Sequence, residues 1–65
     1  MPVAGIDIGS LTTEVVILDQ EKILAEVIIP TGFNSRIAAE KALAKALKET
    51  AFTQEDLEYI IATGY

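Results

Sequence analysis

Asp7, Gly9, Ser10, Thr12 and Thr13 crowd into one bend between two apolar runs, in "AGIDIGSLTTEVVIL", Ala4 to Leu18. Each residue type has a use there. Asp7 is the one acid in an otherwise apolar stretch. A carboxylate in that position is costly unless it is paired, exposed at a strand end or holding a cation. Gly9 permits positive φ and lets a ligand approach the backbone closely. Ser10, Thr12 and Thr13 add hydroxyls to a row of backbone N–H groups, and such a turn can form an anion-binding concavity. An acid beside an anion site is electrostatically wrong alone. It becomes reasonable with Mg²⁺ between the two, held mostly through retained waters. The same residues are ordinary turn formers, and Asp7 can equally cap a loop, so residue type alone leaves a plain hairpin open. The spacing matches neither GxxxxGK[ST] nor GxGxxG, and the bend joins strand to strand where both of those lead into a helix.

The elements that must position this bend follow from hydrophobic period. Val3 to Ile8 reads as a strand, apolar and β-branched, closed by Gly9. Glu14 to Asp19 reads as a second strand, and "DQEK", Asp19 to Lys22, as a hairpin connector. Ile23 to Ile29 reads as a third, ended by Pro30-Thr31-Gly32. The period then becomes helical. Asn34 or Ser35 is the expected N-cap, and Ala39, Ala42, Leu43, Ala46, Leu47 and Thr50 share one face opposite Lys41, Lys45, Lys48 and Glu49. Thr53 and Asp56 resemble the cap of a short turn, and Tyr59 to Thr63 reads as a fourth strand ending at Gly64. The order is β-β-β-α-β. A helix in the last connection calls for a right-handed crossover onto a parallel strand, which gives a mixed sheet of order 3-2-1-4.

The strands do not alternate apolar with polar. Val15 and Ile17 back onto Val16 and Leu18; Ile23, Ala25, Val27 and Ile29 back onto Leu24 and Ile28. Near-continuous apolar strands belong to a sheet covered on both faces, and one helix covers only one. Residues 1–65 are therefore expected to form a single partial domain, the bare face meeting the remainder of its own domain or a second copy. With 65 residues, such a chain buries only ~60% of its unfolded surface. It contains no Cys and no His, which excludes disulfides, Cys/His metal cages and thiol or imidazole catalysis. The net charge of −5 argues against nucleic acid and anionic membranes as partners. There is no basic-then-apolar leader in "MPVAGIDIG" and no apolar run of ~18 residues, so a cytoplasmic location is expected.

"GIDIGSLTTEVVILD" resembles the first phosphate motif of the actin/hexokinase/heat-shock ATPase superfamily. With "PTG", the Ala-rich helix and "IIATGY", Ile60 to Tyr65, the whole chain resembles one branch. That branch comprises the ATPase activators of 2-hydroxyacyl-CoA dehydratases and the related ATPase subunits of benzoyl-CoA reductases. The resemblance implies part of a ribonuclease-H-like, actin-like ATPase lobe, from a homodimer that uses ATP to pass a low-potential electron to a dehydratase or reductase component. It implies ATP and Mg²⁺, and a four-iron four-sulfur cluster bridging the subunits, for which this chain has no ligands. Carried onto this sequence, Asp7 would organise Mg²⁺ through water, and Gly9, Ser10, Leu11, Thr12 and Thr13 would lie beneath the β- and γ-phosphates. Glu14 departs from the Lys common at its position; a carboxylate there approaches phosphate only through a metal, and otherwise is a solvated acid at a strand start. No residue is assigned a catalytic role, and the 65 residues alone are expected not to hydrolyse ATP. Two rival readings are a carbohydrate kinase of the same superfamily and a non-enzymatic module associating through its bare sheet face.

Overall fold

A computed structural model describes residues 1–64. Tyr65, the end of "IIATGY", lies outside the described residues. Strands β1 (Val3–Ile8), β2 (Thr12–Asp19) and β3 (Lys22–Pro30) precede helix α1 (Ser35–Lys48), a short 3₁₀ turn (Gln54–Asp56) and strand β4 (Ile60–Gly64). They form one four-stranded sheet of order β3-β2-β1-β4, in which β1 pairs antiparallel with β2 and parallel with β4. The expected mixed α/β topology is the one the chain adopts. Its strand bounds differ in detail. β2 begins at Thr12 rather than Glu14, and β4 runs one residue later than expected. Pro30 closes β3 opposite Thr12 instead of lying outside it, which an edge strand tolerates because its missing N–H faces no partner.

The inner face of the sheet carries Ala4 and Ile6 from β1, Val15 and Ile17 from β2, and Ala25 and Val27 from β3. Helix α1 lays Ala42, Leu43, Ala46 and Leu47 against them, mainly over β2 and β3. Three small alanines, Ala38, Ala42 and Ala46, bring the helix backbone close to the sheet. Val15 and Ile17 are wholly buried, each contributing roughly 1.5–3 kcal/mol by leaving water. The helix starts where Asn34 Oδ1 accepts the Ile37 N–H at 3.1 Å. It ends where the Thr50 N–H and hydroxyl both donate to the Leu47 carbonyl, at 2.9 and 2.8 Å. Asp56 Oδ2 then accepts the Thr53 N–H at 2.7 Å, fixing the turn before β4.

One register shift was not expected. Ile17 pairs with Ala25, but Leu18 pairs with Ile23, so β3 carries an extra residue at Leu24. The shift moves Ile23 off the core face on which strict alternation puts it, and it is 63% exposed. The outer face then presents Ile23, Ile28 and Ile61, with no element covering it among the described residues.

Candidate functional site

The bend between β1 and β2 is held by backbone and side-chain bonds. The Gly9 N–H donates to the Thr12 carbonyl at 2.8 Å. A Cβ on Gly9 would sit 3.0 Å from that same oxygen, so the residue is small to permit a close approach. Its φ is not positive, and the positive-φ freedom expected of it is not used. Ser10, Leu11 and Thr12 are exposed at the tip. Outside the strand ladders and among the described residues, the Ser10 and Leu11 N–H groups donate no backbone hydrogen bond.

Thr13 behaves differently from its neighbours. Its side chain is fully buried, and its hydroxyl lies 2.8 Å from that of Thr31. The Thr31 hydroxyl donates to the Gly9 carbonyl at 2.8 Å, and the Thr31 N–H to the Leu11 carbonyl at 2.9 Å. Of the hydroxyls in the bend, that of Thr13 is thus turned inward, leaving those of Ser10 and Thr12 on the solvent side. Thr31 joins the site from a distant part of the chain. The sequence placed it in a strand-ending turn, with a substrate-side or partner-side loop as the alternative; the one signal available was a hydroxyl, not a bulky residue, between Pro30 and Gly32.

Asp7 sits near the end of β1 on the outer face, exposed, in register with Glu14 on β2 and Thr63 on β4. The Thr63 hydroxyl donates to Asp7 Oδ1 at 3.3 Å. Asp7, Glu14, Val16, Ile61 and Thr63 line an open groove of about 270 Å³ on this face. Glu14 is half-buried there, beside Glu26 on β3. Its hydrogen bond with the Glu26 carboxyl raises its pKa above the ordinary 4.5, helped by desolvation and by repulsion from Glu26 and Asp7. Beyond Asp7, Gly64 closes β4 at φ +113°, and a Cβ there would fall 2.0 Å from the Ile8 carbonyl oxygen. Only glycine fits so near the bend.

These groups suit magnesium nucleotide better than bare nucleotide. Two carboxylates, Asp7 and Glu14, line the groove with Glu26 beside Glu14, and a polyphosphate would meet them only with a cation between. Among the described residues no group of three or more Asp, Glu, His or Cys is placed to hold a metal ion. Mg²⁺ does not require one, because it keeps several waters and uses one or two carboxylates plus phosphate oxygens. An exposed Asp7 beside free N–H donors fits that demand. The iron–sulfur cluster does not fit: the chain contains no cysteine to hold it.

No protein-family model matches the chain. It is 39% identical over 62 residues to the activator of lactoyl-CoA dehydratase from Anaerotignum propionicum, covering 94% of this chain and 24% of that protein. The family resemblance is to the activators of CoA dehydratases. The structures agree. The chain superposes over its whole length on the Acidaminococcus fermentans (R)-2-hydroxyglutaryl-CoA dehydratase component A, with TM-score 0.87 and 26% identity over 25% of that chain. The activator of 2-hydroxyisocaproyl-CoA dehydratase from Clostridium difficile, solved with bound ADPNP, gives TM-score 0.85 and 34% identity over 100% of this chain and 24% of that one. A ROK hexokinase from Thermus thermophilus shares the fold alone, with TM-score 0.76 and 24% identity over 95% of this chain and 22% of its own. The fold is thus that of an actin-like ATPase lobe in part, and the chain spans about a quarter of the length of the activators it matches.

Proposed function

We propose that residues 1–65 are a partial actin-like domain supplying the phosphate-binding part of an ATP-dependent activator, one that drives electron transfer to a 2-hydroxyacyl-CoA dehydratase. Gly9, Ser10, Leu11, Thr12 and Thr13 form the cradle beneath the β- and γ-phosphates, through backbone N–H groups more than side chains. Asp7 organises Mg²⁺ through water. In this reading the dehydratase is the downstream partner, the iron–sulfur cluster is held by cysteines outside these residues, and the protein works in the cytoplasm. Among the described residues no helix is long and apolar enough to cross a membrane.

The observation that supports this most is the pairing of two N–H groups unengaged among the described residues, those of Ser10 and Leu11, with an exposed carboxylate one strand end away. The arrangement lies on a fold that an ADPNP-bound activator shares. Titration of the ¹⁵N-labelled chain with Mg·ADPNP tests it. The Ser10 and Leu11 amide resonances shift with saturation, and chelating the magnesium abolishes the shifts. Asp7→Asn weakens binding by about tenfold, or about 1.4 kcal/mol. Shifts scattered over the helix with the bend unmoved would rule the reading out.

A further inference from the structure

Resting on that reading of the bend as a phosphate cradle, we infer that Thr31 is a positioning residue for it, acting through a relay of hydroxyls to the Gly9 carbonyl. Three bonds tie the Pro30-Thr31-Gly32 turn to the bend: Thr31 Oγ1 to Gly9 O, Thr31 N to Leu11 O, and Thr13 Oγ1 to Thr31 Oγ1, all between 2.8 and 2.9 Å. They engage the carbonyls of Gly9 and Leu11 from below. With those two oxygens held inward, the peptide groups between them are constrained, and the Ser10 and Leu11 N–H groups stay on the solvent side where an anion arrives. A cradle whose donors are aligned before binding loses less ordering entropy when the ligand is taken up. Thr13 and Thr31 are both buried, at 0% and 6% exposure, so water does not substitute for either hydroxyl. Gly32 follows at φ +70°, which turns the chain from this anchor toward Asn34 and α1.

The inference separates the hydroxyl of Thr31 from its bulk. Thr31→Val keeps the shape and the N–H bond to Leu11 but removes the hydroxyl; Thr31→Ser keeps the hydroxyl. In the unliganded wild type, the Thr31 hydroxyl proton is expected to exchange slowly enough to be seen by NMR, with an Overhauser contact to Gly9. A hydroxyl proton in fast exchange with water overturns the relay, and this readout needs no variant to fold. In Thr31→Val, exchange of the Gly9 amide accelerates by about tenfold while the Val15 and Ile17 amides keep their protection. Its affinity for Mg·ADPNP falls by about tenfold, whereas Thr31→Ser stays within about twofold of wild type. Equal losses in the valine and serine variants overturn the role of the hydroxyl. A Thr31→Val chain that binds as tightly as wild type overturns the positioning role alone. A wild-type chain that takes up no Mg·ADPNP overturns the phosphate reading instead.

Discussion

Glu14 shows how a single residue sets the terms of the site. Its side chain shares the outer face with Glu26 and Asp7, and the Glu26 hydrogen bond favours its protonated form. Its pKa in the fold therefore lies above the unfolded value near 4.5. Below 4.5 both states are protonated and the contribution to stability is fully present. As pH rises through the raised value, the folded state must ionise a carboxyl among carboxylates, and that contribution is lost. Glu14→Gln keeps a hydrogen-bonding side chain and removes the charge. Thermal melts from pH 4 to pH 7 are expected to show the wild type losing stability relative to Glu14→Gln as pH rises. Parallel curves would contradict the placement of Glu14 beside Glu26. On the proposed reading, the same crowding of charge would make a polyphosphate bound here depend on its metal.

At the scale of elements, the β2–β3 hairpin is built against preference. Its connector places Gln20 at φ 53° and Glu21 at φ 66°, both left-handed and neither glycine. A two-residue turn of this kind favours Asn-Gly, and an L-residue with a full side chain gives up roughly 1–2 kcal/mol in that region. The double substitution Gln20→Asn with Glu21→Gly is expected to stabilise the chain by about 1 kcal/mol, which for this size moves the melting temperature up by roughly 4–8 °C. A lowered melting temperature would show that Gln20 and Glu21 make contacts that outweigh their strain. The hairpin was legible in "DQEK" only as a polar break between apolar runs; its positive φ angles were not, because no glycine or asparagine marks them. Helix α1 was legible in most of its inner face, Ala42, Leu43, Ala46 and Leu47, while its cap was open between Asn34 and Ser35, the buried Ala38 was not expected there, and Thr50 lies beyond the helix end. The bulge at Leu24 was hidden, because an apolar run reads the same in either register. So was Thr31, whose partners at Gly9 and Thr13 lie 22 and 18 residues away. Asp7 and the bend were visible as residue types, while the inward turn of the Thr13 hydroxyl needed the packed sheet to show it.

At the scale of the whole molecule, the sheet divides the chain into a finished side and an open one. The inner face has α1; the outer face leaves Ile28 60% and Ile61 57% exposed beside Asp7, Glu14 and Glu26. An apolar surface of this kind associates, and the carboxylates on it oppose the meeting of two copies at neutral pH. Self-association measured by sedimentation velocity is expected to increase as pH falls toward 4.5, and Ile28→Lys with Ile61→Lys is expected to suppress it. Association untouched by the double substitution would place the contact elsewhere.

The same one-sidedness bears on catalysis. Phosphoryl transfer requires the phosphates cradled, the charge on the transferring group neutralised and a water or hydroxyl held in line by a base or positioning residue. On the proposed reading the bend would be the cradle and Asp7 would hold the metal. The carboxylates of Glu14 and Glu26 lie on the same face, but nothing among the described residues stands across the groove from them to hold an attacking water against the γ-phosphate. Among the described residues no Lys or Arg forms an ion pair with any of the three acids. Binding and turnover should therefore separate. Mg·ATP is expected to bind the chain at the bend while phosphate release stays at the rate of the uncatalysed control. Magnesium-dependent release that Asp7→Ala abolishes would mean that one face of the sheet carries a complete hydrolytic site.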